Sequence, residues 1–89
     1  MISRTTADFR RDLARLPGAI KRQTRDAYRI FKMEPRHPGL KFKKLLPLED
    51  IWSIRINNEY RAIGRWRGDV IVWFFVGSHA DYDKLLARL

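Results

Sequence analysis

The sequence predicts an α+β fold: an N-terminal αα-hairpin packed on a four-stranded, mainly antiparallel sheet, with a short C-terminal helix. Three observations lead there. Helical periodicity is confined to the first third of the chain and to its end. Period-two alternation and runs of β-branched or aromatic residues fill the stretch between. The turn signals Pro38-Gly39, Asn57-Asn58 and Gly68-Asp69 divide that stretch at the short intervals typical of hairpins.

The first helix is expected over about Thr6–Leu16. Thr5 or Thr6 can cap it, and Asp8 places a carboxylate at the positive end of the helix dipole. Phe9, Leu13 and Leu16 form one apolar stripe. Pro17-Gly18 interrupts the pattern, and proline suits the first turn of a new helix, so a second helix starts at about Pro17. Its apolar line is Ile20, Ala27 and Phe31 with Thr24 on the same face, while Lys21, Arg25, Arg29 and Lys32 line the opposite side. The three-residue break between them predicts an αα-hairpin. Pro35 ends the second helix by biasing Glu34 to extended backbone.

Leu40-Lys41-Phe42-Lys43 alternates and reads as a strand with a basic outer face. The alternation slips at Lys44-Leu45, as at a bulge or a strand end. A turn is expected over Pro47–Asp50. In the next strand, Ile51–Asn57, Trp52, Ile54 and Ile56 share one face, and Ser53, Arg55 and Asn57 the other. In Tyr60–Trp66 the faces are Tyr60, Ala62 and Gly64 against Arg61, Ile63 and Arg65. Ala62 and Gly64 leave room for a bulky neighbour, which the helical hairpin is expected to supply. Val70–Val76 is apolar throughout, as in an interior strand covered on both faces. Ser78 and Asp81 have capping-box spacing, and Tyr82, Leu85, Leu86 and Leu89 follow at helical intervals. At Ile2–Arg4 the sequence supports at most a vestigial strand. The alternation sets Arg55, Arg61 and Arg65 on one concave sheet face beside the lysines of the first strand.

Eighty-nine residues and 10.6 kDa accommodate one domain, residues 1–89. Nineteen Lys and Arg against ten Asp and Glu leave a net charge of +9, with a pI near 10.7. That is the electrostatic footprint of a nucleic-acid partner, although charge alone serves an acidic protein or an anionic membrane as well. The absence of Cys excludes a disulfide scaffold, a thiol nucleophile and a thiolate metal site, and suits a reducing cytoplasm. His37 and His79 are too few and too far apart for a metal site, so no metal or cofactor is expected. Val70–Val76, the longest apolar run, is far short of the roughly 20 residues that span a bilayer. Met1-Ile2-Ser3-Arg4 is not followed by the apolar core of a signal peptide. A cytoplasmic location without a membrane partner is the expectation.

Three stretches then stand in a telling order: His37-Pro38-Gly39-Leu40-Lys41-Phe42-Lys43-Lys44-Leu45, Tyr60-Arg61-Ala62-Ile63-Gly64, and Gly77-Ser78-His79-Ala80-Asp81-Tyr82-Asp83-Lys84-Leu85. With the helical hairpin before them, they resemble the RelE/ParE toxin superfamily of bacterial type II toxin–antitoxin systems over nearly the whole chain. The last stretch is similar to the HigB-like branch. The resemblance implies a microbial-RNase-like fold with a helical hairpin on one side of the sheet and basic residues on the other. RNase members cut mRNA without metal, usually in the ribosomal A site, and their antitoxin wraps the toxin and blocks the basic surface. The ParE branch shares the fold but poisons DNA gyrase, and fold does not choose between them. The N-terminal strand that usually opens this fold is where the sequence departs from the pattern.

Metal-free RNA cleavage needs a base for the 2′-hydroxyl, cations for the phosphate and an acid for the departing 5′-oxygen. Arg61 matches the arginine of the family's Tyr-Arg strand, and a guanidinium binds phosphate bidentately. Its structural alternative is an ion pair with a neighbour such as Glu59. His79 brings an imidazole, which titrates near neutrality, to a strand-to-helix junction as acid or base, or simply tucks against the sheet. Lys43 is assigned to the scissile phosphate, with Lys41 and Lys44 on the same strand, where lysines also protect a sheet edge. Arg55 and Arg65 extend the phosphate track. Tyr82 stacks on a base or donates a proton, yet it also falls on the apolar line of the last helix. Asp81 and Asp83 match the helix dipole. Trp52, Trp66 and Trp73 belong to the core first, His37 to a solvated turn, and the basic stripe of the second helix to solvent, the ribosome or an antitoxin.

The expected function is that of a ribosome-dependent toxin that cleaves mRNA and inhibits translation, with an acidic, partly helical antitoxin as partner. The alternatives are a gyrase poison of the same fold and an antitoxin-binding relic without catalysis.

Overall fold

Helix α1 (Ala7–Ala14) begins where the Thr6 hydroxyl accepts a hydrogen bond from the Phe9 N–H at 3.0 Å, in a computed structural model that describes residues 1–45 and 50–89. Of the turn expected over Pro47–Asp50, positions 47–49 lie outside the described residues. Helix α2 (Gly18–Met33) starts directly after Pro17, whose ψ of 151° is still extended. It buries Thr24, Ala27 and Phe31 as its apolar line predicts, and Glu34 before Pro35 is non-helical.

The sheet has five strands in the order β1-β5-β4-β3-β2: β1 (Ile2–Thr5), β2 (Lys43–Lys44), β3 (Ile51–Arg55), β4 (Tyr60–Arg67) and β5 (Val70–Ser78). Helix α3 (His79–Arg88) follows, with the Ser78 hydroxyl accepting from the Asp81 N–H. The expectation of four strands is corrected by β1, which pairs parallel to β5 from Ile2↔Val70 to Thr5↔Trp73 and makes the sheet mixed. Four residues of weak alternation conceal this strand in the sequence. Tertiary bonds create it: the Trp73 indole N–H donates to Ser3 Oγ at 3.1 Å, and Ser3 Oγ donates to Tyr28 Oη at 3.1 Å.

The strand expected over Leu40–Lys43 is also corrected. Pro38–Leu40 form one turn of 3-10 helix, capped by His37 Nδ1 accepting from the Gly39 N–H at 3.1 Å. Lys41 is left-handed at φ 47°, and ladder pairing is reduced to Lys43–Lys44. Leu40 and Phe42 do turn to the core, so the alternation recorded burial without extended backbone.

A bulge in β5 explains a run with no polar face. The β4–β5 register passes from Ile63↔Phe75 to Gly64↔Trp73, leaving Phe74 as the extra residue. Ile71, Trp73 and Val76 therefore meet Phe9, Ala27 and Phe31 on the α1–α2 side, while Phe74 and Phe75 both join Tyr82, Leu85 and Leu86 of α3. Gly64 is corrected as well. A Cβ there would stand 2.8 Å from Trp73 Cε3 and 3.1 Å from Ile71 Cγ1, so the bulky neighbour is the adjacent strand and not the helical hairpin.

Candidate functional site

Alternation along β4 sends Arg61, Ile63, Arg65 and Arg67 to the α3 side of the sheet. Register adds Ser53 of β3, opposite Ile63, and Lys43 of β2, opposite Ser53. The concave basic face expected from the sequence is thus divided. Its middle is apolar, with Ile51, Ile63 and Leu45 packed under α3, and the cations stand around that patch. Beyond Arg65 the face opens into a groove lined by Thr6, Arg67, Val70, Val72 and Phe74.

Arg61 is partly buried opposite Gly77 of β5. Its Nη1 is buried without a hydrogen-bond partner, and among the described residues it has no ion pair, with Glu59 or otherwise. Arg65 Nε lies 3.5 Å from Asp50 Oδ2 without an aligned hydrogen bond, and its guanidinium sits 5.7 Å from the Phe74 ring centre. Arg67 Nε donates to the same Asp50 oxygen at 2.8 Å. That bond, with the two positive charges, holds the Asp50 carboxyl below the usual carboxylate range against the opposing effect of desolvation.

The pairing of Tyr60 with Ser78 and Arg61 with Gly77 carries the start of α3 alongside the arginine. His79 donates its backbone N–H to Glu59 O at 2.7 Å. Its ring is largely exposed, stacks on Tyr82 at 5.7 Å between centroids, and places Nε2 3.5 Å from Asp83 Oδ2. Helical spacing produces this trio, since residues three and four apart share a face. Tyr82 packs against the Ile51–Ile63 cluster with one side, the core position its helical spacing predicts, and stacks on His79 with the other.

The fold therefore gathers Arg61, His79 and Tyr82 at one end of the sheet, with Lys43 and Arg65 on the same side. Two expected members fall elsewhere. Lys41 precedes β2 in the left-handed turn, and Lys44 pairs with Trp52 and so faces the opposite side, which corrects the reading of the three lysines as one strand. Arg55 stands opposite Arg61 in the β3–β4 register, as the alternation predicts, donates to Asn58 Oδ1 and borders a groove with Gln23, Asp26 and Ile56 at the α2 edge of the sheet. The tryptophans serve packing. Trp73 is fully buried, and Trp52 and Trp66 cluster with Phe42 under the Arg36 guanidinium. On α2, Arg29 pairs with Asp26 at 2.6 Å and Lys32 lies over the Tyr28 ring. Sequence reasoning overlooked Ser53 and Arg67; alternation alone set Ser53 on the right face, but a lone serine carries no chemical signal.

Among the described residues, no three His, Cys, Asp or Glu side chains gather into a set that could hold a metal, and no helix is long and apolar enough to cross a membrane.

No curated protein matches the chain. Solved structures do. A YoeB/ParE toxin from Agrobacterium tumefaciens is similar at 22% identity and a TM-score of 0.70, over 89% of this chain and 99% of that one. A chain of the RelB–RelE antitoxin–toxin complex from Methanococcus jannaschii is similar at 20% identity and 0.72, over 92% and 96%. One from the RelBE2 toxin–antitoxin complex of Mycobacterium tuberculosis is similar at 28% identity and 0.60, over 88% and 96%. The family model for a ParE-like toxin domain matches residues 18–84. That span runs from the first residue of α2 into α3 and takes in every strand but β1, so the chain belongs to the ParE-like toxin domain family, within the RelE/ParE toxin superfamily.

Proposed function

We propose that this chain is the toxin of a toxin–antitoxin pair and that it cleaves RNA by attack of a 2′-hydroxyl on the adjacent phosphate. The observation that carries the reading is the partnerless, buried Arg61 Nη1 on the strand beside the His79–Asp83 pair. An arginine with one guanidinium nitrogen buried and unpaired among the described residues is suited to an anion, and above all to the charge that develops on a phosphorane. His79 exchanges the proton, as base toward the 2′-hydroxyl or as acid toward the 5′-oxygen. Tyr82 steadies the imidazole by stacking, Asp83 orients it, and Lys43 neutralises the strand. The products are a 2′,3′-cyclic phosphate and a free 5′-hydroxyl. The whole chain, residues 1–89, acts as one toxin domain in the cytoplasm, on mRNA at the ribosome, and needs no metal. A cognate antitoxin, acidic against the +9 charge, silences it; similar chains stand in RelB–RelE and DinJ–YafQ complexes.

The family match to a ParE-like domain favours a second reading, in which the same face binds without cleaving and the target is DNA gyrase. Induced expression separates the two. Translation is expected to stop first, with mRNA fragments ending in 2′,3′-cyclic phosphate. Replication arrest with intact mRNA would establish the gyrase reading instead.

A further inference from the structure

Three buried side-chain atoms lack a hydrogen-bond partner among the described residues: Ser53 Oγ, Arg61 Nη1 and Arg65 Nε. All three belong to the α3 side of the sheet. Ser53 stands opposite Ile63, so its diagonal neighbours on that face are Arg61 and Arg65, at Cβ separations of roughly 7–8 Å or somewhat less. Lys43 stands opposite Ser53 on its other flank. Ser53 is 0% exposed. A hydroxyl so placed without a partner is destabilising, and between Ile51 and Ile63 an alanine would fill the position without that penalty. Arg65 is also incompletely neutralised among the described residues. Its carboxylate, Asp50, accepts its aligned hydrogen bond from Arg67 and stands 3.5 Å from Arg65 Nε.

We propose that Ser53 and Arg65 form a second phosphate subsite, next along the sheet to the phosphate held by Arg61 and His79. This rests on the RNA-cleaving reading and adds to it a substrate-positioning residue and a minimum substrate length. Side chains on one face of β4 recur about every 6.8 Å, so Arg65 lies two steps from Arg61. Ile63 occupies the step between, and Ser53 is the polar group at that level. An RNA strand lying along β4 with one phosphate at Arg61 brings its next phosphate to Ser53 and Arg65. The Ser53 hydroxyl donates to one non-bridging oxygen and Arg65 Nε to the other. Those oxygens diverge tetrahedrally and are reached from two strands, whereas a carboxylate's coplanar pair suits the fork of a single guanidinium. The Arg65 side chain is 43% exposed, so the anion meets it first and reaches the hydroxyl as the long side chains swing aside.

The test uses the full chain and uncleavable 2′-deoxy oligonucleotides: a dinucleotide with one phosphate and a tetranucleotide with three. Ser53→Ala is expected to melt at or above the parent's temperature, yet to bind the tetranucleotide about 3–10-fold more weakly, the worth of one hydrogen bond. Arg65→Gln is expected to weaken the same complex and to reduce its salt slope by about 0.7. Neither variant should change dinucleotide binding, whereas Arg61→Ala weakens both ligands. If Ser53→Ala melts lower and binds the tetranucleotide like the parent, the hydroxyl is a packing group and the subsite is wrong. Should Ser53→Ala lose both stability and binding, Arg65→Gln decides: unchanged tetranucleotide binding there overturns the proposal. Loss confined to Arg61→Ala removes the subsite and leaves the RNA reading; a parent that binds neither oligonucleotide removes both. If polyglutamate is bound through Ser53 and Arg65 and the tetranucleotide is not, the site serves an acidic protein segment and the proposal fails.

Discussion

Arg61 and His79 can be removed without touching the core, because Arg61 leaves Ile63 and Ser53 in place and the His79 side chain is 62% exposed. Arg61→Ala is expected to lower RNA cleavage by about 10²–10³ at an unchanged or raised melting temperature, since it deletes a buried donor without a partner. Unaltered toxicity from a folded Arg61→Ala protein would remove this face from the chemistry. His79→Ala is expected to cost about 10²–10⁴ in cleavage and to alter its pH dependence. Asp83 acts only through the imidazole, so Asp83→Asn should cost less and move the pH profile; both are read by cleavage rates across pH. A folded His79→Ala protein with the parent's profile would reduce His79 to a residue at a helix entrance. Arg61 and His79 were legible as residue types at a strand start and a helix start. Ser53 was not, because burial without a partner is a property of the packed sheet.

Elements explain which parts of the fold were readable. Thr6, Pro17, Glu34-Pro35 and Ser78 mark helix ends through local chemistry, and the helices begin and end near them. Strand β1 and the Pro38–Leu40 turn depend on distant partners, Trp73 and Tyr28 for the first and the core around Leu40 for the second, which no local pattern reveals. Gly64 tests the packing of the central strands. Gly64→Ala is expected to destabilise by about 1–3 kcal/mol, because Trp73 and Ile71 are fully buried and have nowhere to retreat. For a chain this short, each kcal/mol lowers the melting temperature by about 4–8 °C, which calorimetry resolves. Asp50 joins the start of β3 to Arg65 and Arg67 of β4. Its lowered pKa means that the unfolded chain binds the proton more readily. The pair therefore stabilises above the ordinary carboxylate pKa of about 3.9 and loses that contribution as pH falls through the folded value. Asp50→Asn should accordingly flatten the decline of melting temperature with acidification, a small change for so exposed a pair.

At the scale of the whole molecule the +9 charge makes its own prediction. Single-stranded RNA binding should weaken steeply with salt, by about 0.7 in log–log slope for each phosphate contact. A flat response between low and moderate salt would show that the charge serves another partner. By itself the sequence determined the α+β class, the three helices, the β3–β4–β5 meander and the side of the sheet on which Arg61 and Arg65 emerge. These follow from periodicity, capping and turn chemistry, all of which act between residues near one another in the chain. Only the tertiary structure decided the rest. The β5 bulge directed two phenylalanines to α3, packing of Leu45, Ile51 and Ile63 under α3 divided the basic face, the bond network of Ser3, Trp73 and Tyr28 made a strand of four unremarkable residues, and register set Ser53 between two arginines. Each of those outcomes depends on contacts between residues far apart in sequence, whose register and burial are settled when the whole chain packs.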